Sequence, residues 1–291
     1  MTKPKIMLAK SAAKPGTLYI VATPIGNLTD LSLRALDLLQ SVDCIVAEDT
    51  RQTKKLLQHF AITKLLLSLH AHNENEKSAN IINILQNGCS MALVSDAGTP
   101  LISDPGFSLV TLARQAQIPV IPIPGPCALI TALSAAGVPC DTFTFVGFLP
   151  ATTIARQNKL KSLCEIYHTI VFYEAKHRIL DCLTDLSLIY GLDYEIVLAK
   201  ELTKIFECFI RGTAKELHAW LLADAGHKLG EFVVILPARP EQSKDHLALL
   251  ATLLNELPLK QAVRIASLIT KENKNTLYKI ALAVQNEQNA N

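Results

Sequence analysis

The sequence has none of the short glycine-rich motifs that identify the common nucleotide-binding and hydrolase folds. Its 291 residues contain no G-x-x-x-x-G-K-[ST], no G-x-G-x-x-G, no H-E-x-x-H and no G-x-S-x-G. P-loop, ordinary dinucleotide-binding, zincin and serine-hydrolase interpretations therefore have no support.

The sequence also has little net charge. Its 28 Lys and Arg residues against 26 Asp and Glu residues give a formal charge of +2. This balance excludes a protein that binds polyanions by bulk charge, although a local basic face is compatible with it. A hydrophobic content of 49% with only 19% charged residues excludes intrinsic disorder. The length is typical of two domains with a small third one.

Paired cysteines are missing. The seven cysteines are widely spaced and form no C-x-x-C pair, which argues against a disulfide framework or a zinc knuckle and predicts a reducing cytoplasm. His70 and His72 lie two residues apart near carboxylates, but a polar loop is a better interpretation than a metal site. No metal is predicted.

No uninterrupted apolar run is long enough for a membrane helix. The longest uncharged stretch, between Arg114 and Asp141, contains four prolines and a glycine between residues 119 and 126. A spanning helix would have to satisfy the broken backbone hydrogen bonds inside lipid. The stretch is better explained by a buried strand, a tight loop and a buried helix, so no membrane is implied.

Short apolar runs alternate with helical patterns over the first half of the chain, which is typical of an α/β fold with a parallel sheet. Strands are predicted over residues 18–22, 44–47, 91–95 and 120–123. Helices are predicted over residues 32–40, 53–59, 78–86 and 107–115. The cluster Pro124–Pro126 suits a hinge.

A second α/β unit follows, and its closely spaced strands favour antiparallel or mixed pairing. Strands are predicted over residues 142–146, 169–173, 195–200, 206–210 and 231–236. After Pro240 the pattern is helical, with helices predicted over 246–257, 259–269 and 276–284. This tail is basic, with Lys260, Arg264, Lys271, Lys274 and Lys279. The predicted domains are residues 15–123, 124–239 and 240–291.

Three of the predicted strands run directly into Gly/Pro loops, which read TPIGN, SDAGTPLISDPG and PIPGPCA. Ligands of parallel sheets bind where the carboxyl ends of the strands meet, and glycine allows the backbone to approach a ligand closely. Asp96, at a strand end, is expected to contact the ligand. Asp104 serves equally well as a turn or helix cap.

The segment 48-EDTR-51 follows a strand and opens a helix. Glu48 and Asp49 are explained either by capping or by function. Arg51 is unfavourable for the helix dipole in a first turn, and this calls for a functional explanation.

Ordered motifs along the chain resemble one family closely. They are GTLYIVATPIGNLTDLSLRAL, AEDTRQTKKLL, SDAGTPLISDPG, PGPCALITALSAAG, GFLP, FYEAKHR, AKELTK and the pair RGTAKEL/GEFVVIL. In this order they resemble the ribosomal RNA small-subunit methyltransferase I family of tetrapyrrole-methylase-like (class III) enzymes. The similarity runs from Gly16 to Leu236 and continues into the tail. Departures are Ala175-Lys176 within FYEAKHR and the strand ending ILPAR.

The resemblance implies two α/β domains of the tetrapyrrole-methylase type, with S-adenosylmethionine in the cleft between them, and a small C-terminal helical domain. It implies 2′-O-methylation of a cytidine ribose in the decoding region of bacterial 16S rRNA, with the small ribosomal subunit as partner. Relatives of this fold commonly form dimers, so a homodimer is possible.

Residue assignments follow from the strand-end loops and from the chemistry that methyl transfer to a hydroxyl needs. Cofactor contacts are expected from Pro24, Ile25, Gly26, Asp96, Gly98, Thr99, Ile102, Gly125, Cys127, Ala128 and Leu202. Catalytic candidates are Lys200, Glu201, Glu48 and Asp49, and substrate contacts are expected from Arg51, His70, His72 and Glu174. Lys200 would assist the hydroxyl by its charge or as a base, or else form an ion pair that stabilises the domain junction, and Arg51 would hold a phosphate.

Two alternatives stay open. The first is a methyltransferase of the same fold that acts on a tetrapyrrole or on a protein. The second is a non-catalytic RNA-binding factor in ribosome assembly that has kept the fold of a methyltransferase without its activity.

Overall fold

A computed structural model describes residues 12–239, 246–270 and 272–289. The described residues divide into two compact units, an N-terminal unit up to Ala238 and a C-terminal unit from Arg239. The N-terminal unit contains two five-stranded sheets.

The first sheet is entirely parallel, in the order β3-β2-β4-β1-β5. Its strands are β1 (Leu18–Val21), β2 (Cys44–Ala47), β3 (Leu65–Ser68), β4 (Met91–Val94) and β5 (Val120–Ile123). The helices between them are α1 (Leu33–Ser41), α2 (Thr50–His59), α3 (Glu74–Gln86) and α4 (Phe107–Gln115). Apolar side chains pack on both faces of the sheet, which is why its central strands are continuous apolar runs.

Three elements in this region differ from the sequence prediction, and one of them is α3, which begins at Glu74, four residues earlier than predicted. β3 was not predicted, because it is a four-residue edge strand whose Leu65 is two-thirds exposed. Helix α2 begins at Thr50, three residues earlier than predicted, because Asp49 is its N-cap and accepts a 2.8 Å hydrogen bond from the Arg51 backbone N–H.

The second sheet has the order β6-β7-β10-β8-β9; β6 and β7 are parallel and every other pair is antiparallel. The predicted mixed pairing is therefore confirmed. The elements are α5 (Ala128–Ala135), β6 (Phe143–Phe148), α6 (Thr153–Leu163), β7 (Thr169–Ala175), α7 (Ile179–Tyr190), β8 (Glu195–Lys200), β9 (Cys208–Thr213), α8 (Ala214–Ala223) and β10 (Glu231–Leu236). Helix α5 packs on one face, and α6, α7 and α8 pack on the other.

The prediction of a strand over residues 206–210 is wrong in its bounds. The hairpin pairs Lys200 with Cys208 and ends at Thr213. Ile205 and Phe206, which suggested a strand, lie in the connection and are 91% and 70% exposed. Their apolar side chains suggested burial, but both residues belong to the connection that precedes the pairing of β9 with β8.

A buried ionic pair underlies the second sheet. Arg156 Nε lies 2.6 Å from Asp185 Oδ2, and both side chains are almost inaccessible to solvent. Gln157 donates a further 2.7 Å hydrogen bond to Asp185 Oδ1. Such a pair is tolerated in a core only when its polar atoms are satisfied, as they are here.

The C-terminal unit consists of α9 (His246–Glu256), α10 (Leu259–Thr270) and α11 (Lys274–Asn289). These helices surround a small core of Leu250, Val263, Ala266, Leu277 and Ala281, and the prediction of three helices in the tail is confirmed. The predicted boundary at residue 240 and Lys271 lie outside the described residues. Within the described residues, every helix is too short or too polar to cross a bilayer.

Candidate active site

A cavity of about 320 Å³ lies where the strand-end loops of the first sheet face the second sheet. The loops that follow β1, β2, β4 and β5 line one side. Residues of β6, β7 and β10, with Leu202 after β8, line the other. Its volume is in the range of small-molecule sites, and its position at the carboxyl ends of parallel strands is the expected one.

Backbone hydrogen bonds tie the strand-end loops together. The Thr23 N–H donates to the Gly98 carbonyl at 2.8 Å, and the Gly98 N–H donates back at 3.0 Å. Thr99 Oγ1 donates to the Pro126 carbonyl at 3.0 Å, which joins the third loop. Gly98 has a φ of +90°, and a Cβ there would lie 3.4 Å from Ile25 Cγ2. The positive φ is what favours glycine here, since the contact with Ile25 would be an ordinary van der Waals distance.

Most of the expected cofactor contacts line the cavity: Ile25, Asp96, Gly98, Thr99, Ile102, Cys127, Ala128 and Leu202. Pro24, Gly26 and Gly125 do not. A Cβ on Gly125 would lie 2.9 Å from the Ala22 Cβ, and one on Gly26 would lie 2.5 Å from Lys204 Cγ. These two glycines therefore permit close packing behind the cavity wall.

The loop between β4 and α4 carries backbone strain. Leu101 and Ser103 are non-glycine residues with φ values of +73° and +70°, and such conformations cost roughly 1–3 kcal/mol each. The Glu74 carboxylate anchors the end of the loop by accepting a 2.6 Å hydrogen bond from the Ser108 N–H. Ser103 and Asp104 of the loop line the cavity. Strain held in place by the surrounding structure is common at functional sites.

The cavity is acidic. Five of its lining residues are carboxylic acids, and none of the described lining residues is basic. Burial raises the pKa of Glu48 and of Asp96. Burial also raises the pKa of Asp104 to about 6, reinforced by the charges of Glu48 and Asp96 and opposed by a hydrogen bond from Ser95. Carboxylates crowded in this way favour either protonation or a cationic ligand.

Glu48 is the only catalytic candidate that lines the cavity. Asp49 instead caps α2 and pairs with Arg51, whose Nη2 lies 2.6 Å from Asp49 Oδ2. This hydrogen bonding lowers the pKa of Asp49 to about 2. The capping interpretation of Asp49 is thus confirmed, and Arg51 has a local partner that offsets its unfavourable position in the first turn.

Lys200 and Glu201 do not line the cavity. Lys200 is buried at the end of β8, where it pairs with Phe232 of β10. Glu201 Oε1 accepts a 2.8 Å hydrogen bond from Lys204 and a 3.0 Å one from the Glu231 N–H. Glu201 therefore fastens the end of β8 to β10, and its expected role beside Lys200 in proton transfer is not supported by this geometry.

Of the expected substrate contacts, Glu174 is among the residues that line the cavity, whereas His70 and His72 are not. The Glu174 carboxylate is buried and pairs with Arg178 at 3.1 Å, so its charge is already partnered within the protein. The His70 ring lies 3.0 Å from the Asn73 amide nitrogen, and neither histidine lines the cavity. Among the described residues there is no cluster of three metal-ligating side chains.

The sequence prediction missed the aromatic wall. Tyr173 and Phe148 line the cavity, and their ring centroids are 5.6 Å apart in an edge-to-face arrangement. The Tyr173 hydroxyl accepts a 3.1 Å hydrogen bond from the Leu129 N–H. Phe148 belongs to the motif GFLP, but strand alternation alone does not indicate that this side chain faces a ligand.

Comparison with known proteins agrees with this architecture. The family of Tetrapyrrole (Corrin/Porphyrin) Methylases matches residues 17–218, and the RsmI C-terminal HTH domain matches residues 240–285. Among solved structures, a cobalt precorrin-4 methyltransferase of cobalamin biosynthesis superposes with a TM-score of 0.57 at 16% identity, covering 76% of this chain and 94% of its own. The uroporphyrin-III-C-methyltransferase from Thermus thermophilus gives 0.51 at 18% identity, with the same coverages. These similarities establish the fold.

Curated relatives establish the family. The ribosomal RNA small subunit methyltransferase I of Escherichia coli O157:H7 is 50% identical over 274 residues, which cover 93% of this chain and 96% of that protein. The same-named proteins of Vibrio cholerae and Xylella fastidiosa (strain Temecula1) are 50% and 51% identical, covering 91% of this chain and 94% and 98% of their own lengths. With this identity along nearly the whole sequence, the chain belongs to the ribosomal RNA small subunit methyltransferase I family and is a methyltransferase.

Proposed function

We propose that this protein transfers a methyl group from S-adenosylmethionine to the ribose 2′-hydroxyl of a cytidine in the decoding region of bacterial 16S rRNA. The observation that carries the proposal is the acidic cavity at the strand-end loops of a methyltransferase fold, which is lined by no basic residue in the described part of the chain. The relatives' names, which refer to small-subunit ribosomal RNA, support the choice of substrate.

The residues present fit S-adenosylmethionine. When bound, this cofactor supplies an electrophilic methyl group on a positively charged sulfonium. The carboxylates of Glu48 and Asp96 suit its ammonium group and its hydroxyls. The side chains of Ile25, Leu202 and Val233 provide apolar walls for its base. The backbone at Gly98 leaves room for close approach, and the excess of carboxylates disfavours an anionic cofactor.

Asp104 is the proposed proton acceptor. A ribose hydroxyl is a weak nucleophile until its proton leaves, and a base works best when its pKa lies near the operating pH. Asp104 lines the cavity on a loop that the surrounding structure holds in a strained conformation, and its raised pKa brings it close to this optimum. The carboxylate would accept the proton of the 2′-hydroxyl, so that the hydroxyl oxygen could bond to the methyl group that the cofactor supplies, with the neutral thioether of the cofactor as the leaving group.

RNA contacts are proposed for the C-terminal unit. Lys260, Arg264, Lys274 and Lys279 are all exposed on its helices. A protein with a net charge of only +2 needs such a local basic face to bind phosphates. The target sugar is accessible only where its nucleotide is displaced from pairing and stacking, so an assembled small subunit is the proposed substrate.

The test is a methylation assay with tritiated S-adenosylmethionine on small subunits that lack the modification. Digestion of the RNA to nucleosides should place the label in 2′-O-methylcytidine of the decoding region. Label in a base, in another nucleotide or in ribosomal protein would contradict the proposal. The possible homodimer is tested separately by sedimentation.

The two alternatives have their own tests. A tetrapyrrole or protein substrate predicts methylation of a free corrin precursor or of an elongation factor, and none of the small subunit. The basic C-terminal helices argue against it. A non-catalytic assembly factor predicts no binding in a calorimetric titration with S-adenosylmethionine. The intact glycine loops and their interlocking hydrogen bonds argue against this second alternative.

A further inference from the structure

A β-bulge in β6 determines which way Phe148 faces. Phe143 of β6 pairs with Thr169 of β7, and Phe145 pairs with Val171. Two residues further along β7, Tyr173 pairs with Phe148 instead of residue 147. Three residues of β6 therefore span the distance that two residues span on β7. Without the extra residue, alternation would place Phe148 on the face opposite to Phe145.

The bulge brings Phe148 onto the cavity side and holds it there. Cross-strand partners share a face, so Phe148 lies beside Tyr173, with ring centroids 5.6 Å apart at an angle of 66°. Phe145 contacts the same tyrosine at 4.9 Å. The hydrogen bond from the Leu129 N–H fixes the Tyr173 hydroxyl. Phe148 is thus supported on two sides, while it lines the cavity and is itself 54% exposed.

The bulge also lies next to the proposed proton acceptor. Gly147 has a φ of +66°, as a bulge glycine often does, and a Cβ there would lie 3.3 Å from Ser103 Oγ. Ser103 immediately precedes Asp104 in the strained loop. Phe148 therefore projects from a strand that touches the loop carrying the proposed base.

We propose that Phe148 is the stacking surface for the base of the nucleotide whose ribose is methylated, an inference that rests on the proposed function. A nucleotide that presents its sugar to Asp104 brings its base within a few ångströms of the sugar. A base removed from its helix needs a new stacking partner, and proteins supply aromatic side chains for this purpose. Among the residues that line the cavity, Phe148 is the aromatic side chain with more than half of its surface exposed.

The test compares Phe148→Leu and Phe148→Trp with a control on the same strand, Phe143→Leu. Phe143 is 36% exposed and does not line the cavity. Single-turnover methylation is measured against small-subunit concentration, alongside calorimetric titration with S-adenosylmethionine and a thermal melt. Phe148→Leu should raise the half-saturating subunit concentration by about 5- to 150-fold, the effect of one lost base–aromatic stack. Its cofactor affinity should stay within twofold of wild type, Phe148→Trp should restore binding, and Phe143→Leu should behave as wild type.

Three outcomes would overturn the inference. In the first, Phe148→Leu has a normal half-saturating concentration. In the second, cofactor affinity falls by the same factor as subunit affinity, which would mean that Phe148 packs against the methyl donor. In the third, Phe148→Trp binds subunits no better than Phe148→Leu. Failure of the proposed function looks different, because wild-type protein would then transfer no methyl group to the subunit.

Discussion

The parallel sheet and the mixed sheet contribute to the same cavity in different ways. In the parallel sheet the loops after four of the five strands line the cavity, and two of these loops carry the carboxylates of Glu48, Asp96 and Asp104. In the mixed sheet β6, β7 and β10 form a wall of the cavity, and the parallel pair β6 and β7 presents the rings of Phe148 and Tyr173. The carboxylates proposed to bind and react therefore lie on the side of the parallel sheet, and the aromatic surface lies on the side of the mixed sheet.

The two sheets also differ in where they hold unfavourable energy. The parallel sheet holds it as backbone strain at Leu101 and Ser103, in a loop at the cavity. The mixed sheet also has residues at positive φ, Glu201 and Thr203 after β8, but in addition it holds a buried charge pair, Arg156–Asp185, in its core. Changes to the cavity carboxylates of the first sheet should therefore alter the reaction with little loss of stability, and changes to the buried pair should do the reverse.

The largest effect is expected from Asp104→Asn. Loss of a positioned proton acceptor should lower the single-turnover rate by roughly 10²- to 10⁴-fold at saturating substrate. The wild-type rate should rise with pH up to about 6, where Asp104 loses its proton, and then level off. Asp96→Asn is the matched control, because it should weaken cofactor binding and keep the wild-type pH profile at saturation. A rate loss in Asp104→Asn that follows cofactor affinity would instead make Asp104 a binding residue.

The same variant should be more stable at neutral pH. The folded-state pKa of Asp104, about 6, lies above its ordinary value of 3.8. Ionising this carboxyl therefore disfavours folding, beginning above pH 4 and reaching its full extent above pH 6. Asn should raise the free energy of unfolding at pH 7.5 by on the order of 1 kcal/mol, after discounting for the partial exposure of the group. Urea titrations at pH 4 and pH 7.5 test this, because the gain should disappear at the lower pH.

The next largest effect is expected in the mixed sheet. Asp185→Ala would leave the Arg156 guanidinium buried without its partner, which should lower the free energy of unfolding by about 3–5 kcal/mol. The double variant Arg156→Met/Asp185→Leu should recover most of this loss, because apolar residues of similar volume avoid the buried charge. Urea denaturation measures both. Equal destabilisation in the single and double variants would mean that packing, and not unpaired charge, causes the loss.

The same contrast explains what the sequence could predict. In the parallel sheet a strand is a short apolar run and its functional loop follows directly in sequence. The strands around residues 18, 91 and 120 could therefore be predicted, and so could the loops after them, which line the cavity. The individual cofactor contacts stay predictions. β3 could not be predicted, because an exposed four-residue edge strand has no distinctive pattern.

In the mixed sheet, the face of the sheet on which a side chain lies depends on how its strand pairs with a strand distant in sequence. The sequence alone does not reveal this pairing. One extra residue in β6 reverses the direction of Phe148. The direction of Lys200 follows from its pairing with Phe232 and Cys208. The partnership of Arg156 with Asp185 joins two helices. Lys200 was expected at the cavity because it ends a strand, but a strand that runs along a wall does not deliver its last residue to the cavity.

A smaller effect is expected from Gly98→Val, with Gly88→Val as its matched control. Both glycines have a φ near +90°, so valine should strain the backbone and lower the free energy of unfolding by a similar amount, about 1–3 kcal/mol. Only at Gly98 does the new side chain meet a cavity wall; at Gly88 nothing lies within 4 Å of the added Cβ. Calorimetry should therefore show at least a tenfold loss of cofactor affinity for Gly98→Val alone. Similar affinities in the two variants would remove the backbone at Gly98 from the cofactor site.

The smallest effects are expected at Arg51 and Asp49, beside the cavity. Two nitrogens of the exposed Arg51 guanidinium are bound to Asp49, which leaves its other N–H groups available for a phosphate. If Arg51 contacts RNA, Arg51→Ala should weaken subunit binding by less than about tenfold and lower the salt-dependence slope by about one. Asp49→Asn keeps a capping side chain but removes the charge that competes for the guanidinium, so it should strengthen subunit binding slightly. Because the two changes act in opposite directions while cofactor affinity stays constant, filter-binding titrations over a salt series can resolve even twofold effects. Weaker binding in both variants would assign the pair to the fold of the α2 N-terminus and not to the RNA.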